Sequence, residues 1–255
     1  MYDYHVHSSY SDGEFLTRML RAAADADLDG VGFADHCNVS EREHLQRYKK
    51  RFAFNLDVTY ERRREAIEDL RETADIAIFD AVEMDYHEAD EVEIRDFLSE
   101  ADFDYAVGSV HEIEEANVHW DYFADLSEPE QRAAVDEYFE RVVSLVESEL
   151  FDIAAHIDIV ERNPALRGYA TEDHYRDVAA ALAGSRTVPE VNAGRIDREY
   201  GEFHPNPPFL DVLGEYDIGV TVGSDSHSPD ALRERIPQLE RRLDSAPVET
   251  VELSL

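Results

Sequence analysis

The chain has 255 residues, 43% of them hydrophobic, with 24 basic against 59 acidic side chains and a formal charge of −35. That apolar content excludes an intrinsically disordered chain, and the length suits one large α/β domain. The acidic balance argues against a nucleic-acid partner, which needs basic surface to displace counterions from phosphates, and the single Cys37 excludes both an internal disulfide and a cysteine-rich zinc site.

The N-terminus enters the alternating stretch Tyr2-Asp3-Tyr4-His5-Val6-His7 directly. No signal peptide precedes it and no apolar run approaches a membrane span, so a cytoplasmic chain with no membrane partner is expected. Helical patterns follow over residues 14–27, 59–75, 89–101, 130–149, 172–183 and 229–243. Asp12-Gly13, Ser127-Glu128-Pro129 and Ser228-Pro229 stand ahead of three of them as caps, with Pro tolerated in a first turn. Between the helices lie short apolar runs: Phe33-Ala34, Ala81-Val82, Ala106-Val107, residues 153–155, Val188 with Val191, and residues 220–222. Each is short enough for a buried strand, and their alternation with helices predicts parallel strands. Seven strand ends precede residues 248–253, which read as a short final or edge strand. No Gly/Ser/Pro-rich linker interrupts the series, so residues 1–255 are expected to form one domain, an irregular (β/α)7 TIM-like barrel rather than a regular eight.

Histidines and carboxylates recur at the ends of these runs: His5 and His7, Asp35-His36, Glu83, His111, His156, Glu190, then Asp225 and His227. Residues far apart in sequence meet at the C-terminal ends of barrel strands, so the series predicts one site. On a strand over residues 4–8, His5 and His7 share a face. Glu83 ends an apolar strand, where burying an unpaired carboxylate is costly, so it needs a cation. His111 and His156 each close a run of small or apolar residues. Singly each reads as a core histidine; their recurrence at successive strand ends points to metal ligation. Asp225 and His227 repeat the spacing of His5 and His7, and Gly223 lets the backbone come close to the site. Asp12 reads either as a helix cap or as a further ligand. Cys37, beside His36, reads as a small buried apolar residue.

At these positions the chain resembles the PHP family, named for polymerases and histidinol phosphatases, whose motifs are His-x-His, a later Asp-His, a strand-ending His set and a C-terminal Asp-x-His. The resemblance covers the whole chain and implies a distorted seven-stranded α/β barrel with three divalent ions, zinc, manganese or iron. Carried over by motif, His5, His7, Glu83 and Asp225 hold one metal. Glu83 bridges to a second, held also by His111 and His156, and Asp12, His36 and His227 hold the third. Some relatives have His where Asp12 stands, and an acid there favours a harder ion such as manganese. Several stretches look like the histidinol-phosphatase branch: residues 5–13, Glu83-Met84-Asp85-Tyr86, Gly108-Ser109-Val110-His111, residues 190–194, and His204-Pro205-Asn206-Pro207-Pro208, where relatives carry a Tyr-Pro-Ser-Pro-like turn.

Clustered cations bind phosphate oxygens and lower the pKa of a bridging water, so a metal-bridging hydroxide is the expected nucleophile and no protein nucleophile is needed. In so acidic a chain, phosphate recognition falls to local arginine, and Arg162 and Arg195 follow strand ends. Glu190 and Asn192 read either as contacts to the amine or imidazole of a substrate or as partners that orient a metal-binding histidine, and Asp85 and Asp158 read as such orienting partners. His44, His87, His119, His174 and His204 lie off the pattern and read mostly as surface residues. Trp120 and Tyr122 read as a substrate-covering loop or as core. The expected activity is a metal-dependent phosphomonoesterase acting on L-histidinol phosphate in histidine biosynthesis. The alternatives are another small phosphate ester, from nucleotide to sugar phosphate, or a metal-binding module without catalysis. Lysine occurs only at 49 and 50, and an acidic, lysine-poor surface fits a protein adapted to molar salt. The melting temperature is therefore expected to rise by about 10 °C or more from roughly 0.1 to 2 M potassium chloride, where screening shrinks to a few ångströms; an unchanged value would mark an ordinary acidic protein.

Overall fold

The computed structural model describes residues 1–52 and 54–255. In chain order the strands are β1 (Tyr2–Val6), β2 (Gly30–Cys37), β3 (Ala77–Asp85), β4 (Tyr105–Ser109), the two-residue hairpin strands β5 (Glu112–Ile113) and β6 (Ala116–Asn117), β7 (Ile153–Ala154), β8 (Val188–Asn192) and β9 (Thr221–Gly223). The helices are α1 (Leu16–Asp25), α2 (Glu43–Phe52), α3 (Leu56–Arg71), α4 (Glu91–Ala101), α5 (Glu128–Glu147), α6 (Glu172–Ala183), α7 (Pro207–Glu215) and α8 (Pro229–Leu243). Seven strands pair in parallel in the order β1-β2-β3-β4-β7-β8-β9. The barrel closes where Asp225 N donates to His5 O at 2.7 Å and His7 N to Ser226 O at 3.0 Å. None of the described helices is long and apolar enough to cross a membrane.

Strand alternation sorts the side chains into two populations. Val31, Phe33, Val82, Met84, Ala106, Val191 and Val222 face the helices, which meet them with rows such as Leu16, Met19, Ala22 and Ala23 of α1. Each fully buried Leu or Met in such a row contributes roughly 1.5–3 kcal/mol. Tyr4, Ala34, Ala81, Tyr105, Val107, Ile153 and Ala155 face inward and form a second cluster with Tyr2, Phe79 and Leu253. This aromatic plug fills the lower barrel, so the inward positions one step further along each strand form the floor of the mouth. β1 reaches that floor through a bulge: Asp3 pairs with Val31 and Val6 with Phe33, so three steps on β1 match two on β2. The extra residue rephases the alternation, so Tyr4 stays in the plug while His5 and His7 both reach the mouth.

Six helices match their sequence patterns within a few residues. Two were not expected. α2 carries only the short apolar stripe Leu45, Tyr48 and Phe52 and buries none of its residues fully, and α7 begins within the Pro-rich stretch read as a turn, with Asn206 capping Phe209 N at 3.1 Å and prolines in the first turn. Ser127 and Ser228 do cap α5 and α8. Asp12 does not cap α1, whose N-cap is Phe15. Residues 248–253 form a single parallel bridge, Val220 with Thr250, not a strand, and carry Leu253 into the aromatic plug.

Arg63 of α3 is fully buried and ties the outer face of the barrel together. It bonds Asp35 at 2.8 Å and Asp80 at 2.7 Å, and Asp35 also accepts from Ser8 N, Ser8 Oγ and Ser11 Oγ at 2.7, 2.7 and 2.8 Å. Asp35 therefore points away from the mouth and holds the loop that follows His7. Arg63→Met removes the cation buried between the two carboxylates and leaves Asp35 with its serine donors and Asp80 with Arg64 Nε at 2.8 Å, at a cost of about 3–5 kcal/mol. In a calorimetric melt the variant should fall by roughly 10 °C; a fall of only a degree or two would show that the network does not hold the barrel.

Candidate metal centre

Glu83 occupies the middle of the mouth and is 1% exposed. Its Oε2 lies 3.4 Å from His5 Nε2, 3.6 Å from His7 Nε2 and 2.7 Å from His36 Nδ1. Its Oε1 lies 3.1 Å from His156 Nε2 and 3.5 Å from His111 Nε2, and accepts from Ser109 Oγ at 2.5 Å. Asp225 Oδ1 stands 3.4 Å from His7 Nε2, and Asp12 Oδ1 stands 3.2 Å from His227 Nε2 and 3.9 Å from His36 Nε2. Burial alone would raise Glu83 and Asp225, but the neighbouring histidines hold both well below the usual carboxylate range. Burial foremost pushes His7 and His156 down to about 4, which leaves their imidazoles neutral near pH 7, the form that ligates.

These distances are those of a cation site. Donors held about 2.1 Å from a tetrahedral ion stand about 3.4 Å apart, and His5, His7, Glu83 and Asp225 present edges of 3.2, 3.4, 3.4 and 3.6 Å. Glu83 Oε2 is buried with no hydrogen-bond partner in the structure, although three imidazoles surround it. Three groups of ligand atoms within 4.8 Å of one another form: His5, His7 and Asp225; His36, Glu83 and His111; and His7, Asp12, His36 and His227. His156 joins none of the three and meets Glu83 Oε1 at 3.1 Å. Imidazole and carboxylate donors without thiolate suit zinc, iron or manganese.

The backbone is shaped to hold this set. His156, Asp225 and Arg195 have positive φ angles of 28°, 50° and 62°, a conformation that non-glycine residues tolerate only where surroundings enforce it. Arg235 of α8 supplies that enforcement at Asp225, donating to Ser224 O at 3.2 Å and Asp225 O at 2.7 Å. Gly223 is required for space, since a Cβ there would lie 2.1 Å from Glu190 Oε2. Glu190 and Asn192 are fully buried. Glu190 accepts from His5 Nδ1 at 3.0 Å, His156 N at 3.1 Å and Asn192 Nδ2 at 2.7 Å, so it orients ligands and does not open towards substrate. Asp85 orients His111 in the same way at 2.7 Å. Arg162, nearly buried, reaches 3.6 Å from Asp225 Oδ2, whereas Arg195 is exposed. A cavity of about 550 Å³ opens beside His111, between α2 and the β5–β6 hairpin, with Tyr48, Asp85, Glu112 and Trp120 on its walls.

A family model described as the PHP domain matches residues 3–192. This chain belongs to the PHP family. It is a hydrolase of the phosphatase class. A protein of Deinococcus radiodurans named "Probable histidinol-phosphatase" is 25% identical over 231 residues, 82% of this chain and 78% of that one. The hisK structure from Listeria monocytogenes superposes with a TM-score of 0.73 at 20% identity, covering 91% of this chain and 97% of that one. Histidinol phosphate phosphatase of Lactococcus lactis, complexed with zinc, L-histidinol and phosphate, gives 0.70 at 21% identity over 94% and 92%. At such identities the superpositions establish the barrel fold.

In this PHP barrel all nine residues expected from the sequence to bind metal meet at the mouth. Asp158 does not orient one of these histidines; it holds His204. His204 itself is fully buried rather than superficial. His119 is half-buried in the loop after the hairpin rather than superficial, and burial together with the charges of Arg162 and Arg195 pushes it down to about 2. Neither histidine ends a strand, and strand ends were the only positional signal. Adding manganese or zinc to the stripped protein at a thousand times Kd should raise stability by about 4 kcal/mol, or roughly 10 °C. Glu83→Gln should lose most of that shift; an equal shift in both proteins would place the ions elsewhere.

Proposed function

We propose that this PHP hydrolase is a metal-dependent phosphomonoesterase whose substrate is L-histidinol phosphate. The observation that carries the chemistry is Glu83, buried and flanked on both oxygens by imidazoles, with the Arg162 guanidinium 3.6 Å from Asp225 in the same mouth. His5, His7, Glu83 and Asp225 would hold one ion, Glu83, His111 and His156 a second, and Asp12, His36 and His227 a third. Ions bound there supply positive charge for phosphate oxygens and a water activated near neutral pH. The protein's own residues do the rest. Glu190 and Asp85 fix the rings of His5 and His111, Arg162 contacts the phosphoryl oxygens, and Arg195 closes over them from the exposed side. Nothing else nucleophilic serves: Cys37 is buried on the helix side, its thiol pushed far up by burial, and Ser109 donates to Glu83.

The choice of alcohol rests on the relatives and on the cavity. The Deinococcus radiodurans protein spans most of this chain, and the Lactococcus lactis structure holds L-histidinol and phosphate in the same fold. The cavity beside His111 combines aromatic faces, Tyr48 and the 48% exposed Trp120, with Arg42, Arg47 and Arg51 and with Glu112 and Glu115, of which Glu112 pairs with Arg42 at 2.9 Å. A planar imidazole suits the aromatic faces, and Glu115 offers a carboxylate to a cationic amine. Phosphate release should be compared for L-histidinol phosphate and a panel of nucleotide and sugar phosphates, in molar potassium chloride with manganese or zinc. L-Histidinol phosphate is expected to lead in kcat/KM by about a hundredfold or more, the margin a site built around buried polar contacts achieves. Preference for another ester would replace the substrate, and no release from folded, metal-loaded protein would remove the phosphatase reading.

A further inference from the structure

Arg162 is gripped from behind by a buried histidine. Arg162 Nε donates to His204 Nε2 at 2.8 Å, and His204 Nδ1 lies 2.5 Å from Asp158 Oδ1. An arginine Nε–H can only donate, so His204 Nε2 presents its lone pair and the ring proton sits on Nδ1, where the Asp158 carboxylate accepts it. The backbone N–H of Asn206 donates to the other oxygen of Asp158 at 2.8 Å. Tyr200 stacks on the imidazole with centroids 5.0 Å apart, and two backbone hydrogen bonds with Asn192, 2.7 and 3.0 Å, fasten residue 204 to β8. Arg162 Nη2 donates to Gly194 O at 2.8 Å and Asn192 Oδ1 at 3.2 Å. With Nε and Nη2 engaged, Nη1 is the edge of the guanidinium without an acceptor among the described residues.

We propose that His204, held by Asp158, is a positioning residue that fixes Arg162 so that its Nη1 edge is presented to the phosphoryl group. This rests on the reading of Arg162 as a phosphate contact. The pin has a clear purpose. Asp225 Oδ2 lies only 3.6 Å from Nη2, and a guanidinium free to rotate would fold its fork onto that carboxylate. Arginine and Asp225 would then neutralise each other, and both the phosphate contact and the metal donor would be weakened. Holding Nε from behind keeps the two apart.

The test uses Asp158→Asn, His204→Gln, His204→Phe and Arg162→Met, each metal-loaded and checked by thermal melt, with inorganic phosphate as the competitive probe. In Asp158→Asn the Asn206 N–H holds the amide oxygen, so the amide nitrogen faces His204 Nδ1. The ring proton is driven to Nε2, against the Arg162 donor. Nitrogen-15 NMR should show that tautomer change, and the Ki of phosphate should rise at least about tenfold with a smaller fall in kcat. His204→Phe, which removes the acceptor altogether, should raise the phosphate Ki by a similar factor. His204→Gln, whose carbonyl can accept from Arg162, should recover most of the affinity. A folded Asp158→Asn with the exchanged tautomer and unchanged phosphate Ki, while Arg162→Met loses affinity, would overturn the proposal alone. Unchanged Ki in Arg162→Met would overturn the phosphate reading of Arg162, and the proposal with it.

Discussion

A buried carboxylate that stays ionised is the constraint on which this barrel depends. Glu83 lies at the centre of the mouth, 1% exposed, and an isolated charge there would be expelled or neutralised. It remains charged because His5, His7, His36, His111 and His156, from four other strands, all point at its two oxygens. That requirement sets the height of every strand end. It explains why β1 carries a bulge just before its histidines and why Gly223 stands where a side chain would meet Glu190. The aromatic plug beneath has the complementary task of excluding water from the lower barrel, which keeps the dielectric low and the interactions around Glu83 strong.

Support extends outward in layers, and each layer is made of charge as well as apolar packing. Glu190 and Asp85 hold the far nitrogens of His5 and His111, so the near nitrogens converge. Arg235 grips the carbonyls around the left-handed Asp225 and also reaches Asp197, on the loop that carries Arg195, at 2.9 Å. Arg63 does the same work on the opposite side, through Asp35 and the serines after His7. Arginine is used at all these buried positions, and the two lysines stand on α2. A planar fork with fixed donors fits several carbonyls or carboxylates at once, which a flexible ammonium does not.

The parts of this arrangement that follow a period were legible in the sequence. Short apolar runs alternating with helical patterns marked the seven strands, and a ligand-type side chain at each strand end marked the mouth. What escaped carried a weaker signal. α2 has only Leu45, Tyr48 and Phe52 among charged and polar residues and buries none of them fully, and α7 hides behind Pro205, Pro207 and Pro208, which punctuate a turn as readily as they start a helix. Asp12 could not be assigned between cap and ligand from its neighbours, because a carboxylate ahead of a helix serves either role; the fold sets it beside His227 instead. His204 is invisible for a deeper reason: its partners Asp158 and Arg162 lie more than forty residues away in a different loop, and only the closed barrel brings them together.

An enzyme with a charge of −35 that takes an anionic ester must make its attraction local. Surface carboxylates are separated from the mouth by more than a Debye length at high ionic strength, so their repulsion of an incoming phosphate fades as salt rises. Interactions in the mouth are screened far less, because Arg162 is nearly buried and Glu83 and its histidines sit on a dry plug. On the proposed reading, divalent ions outweigh the carboxylates of Asp12, Glu83 and Asp225, and the mouth becomes the positive point on an otherwise negative surface. Salt then acts on the two regions in opposite senses, weakening the far repulsion while leaving the near attraction almost intact. An acidic exterior and an anion-binding interior are therefore compatible in one chain, and most compatible where ionic strength is high.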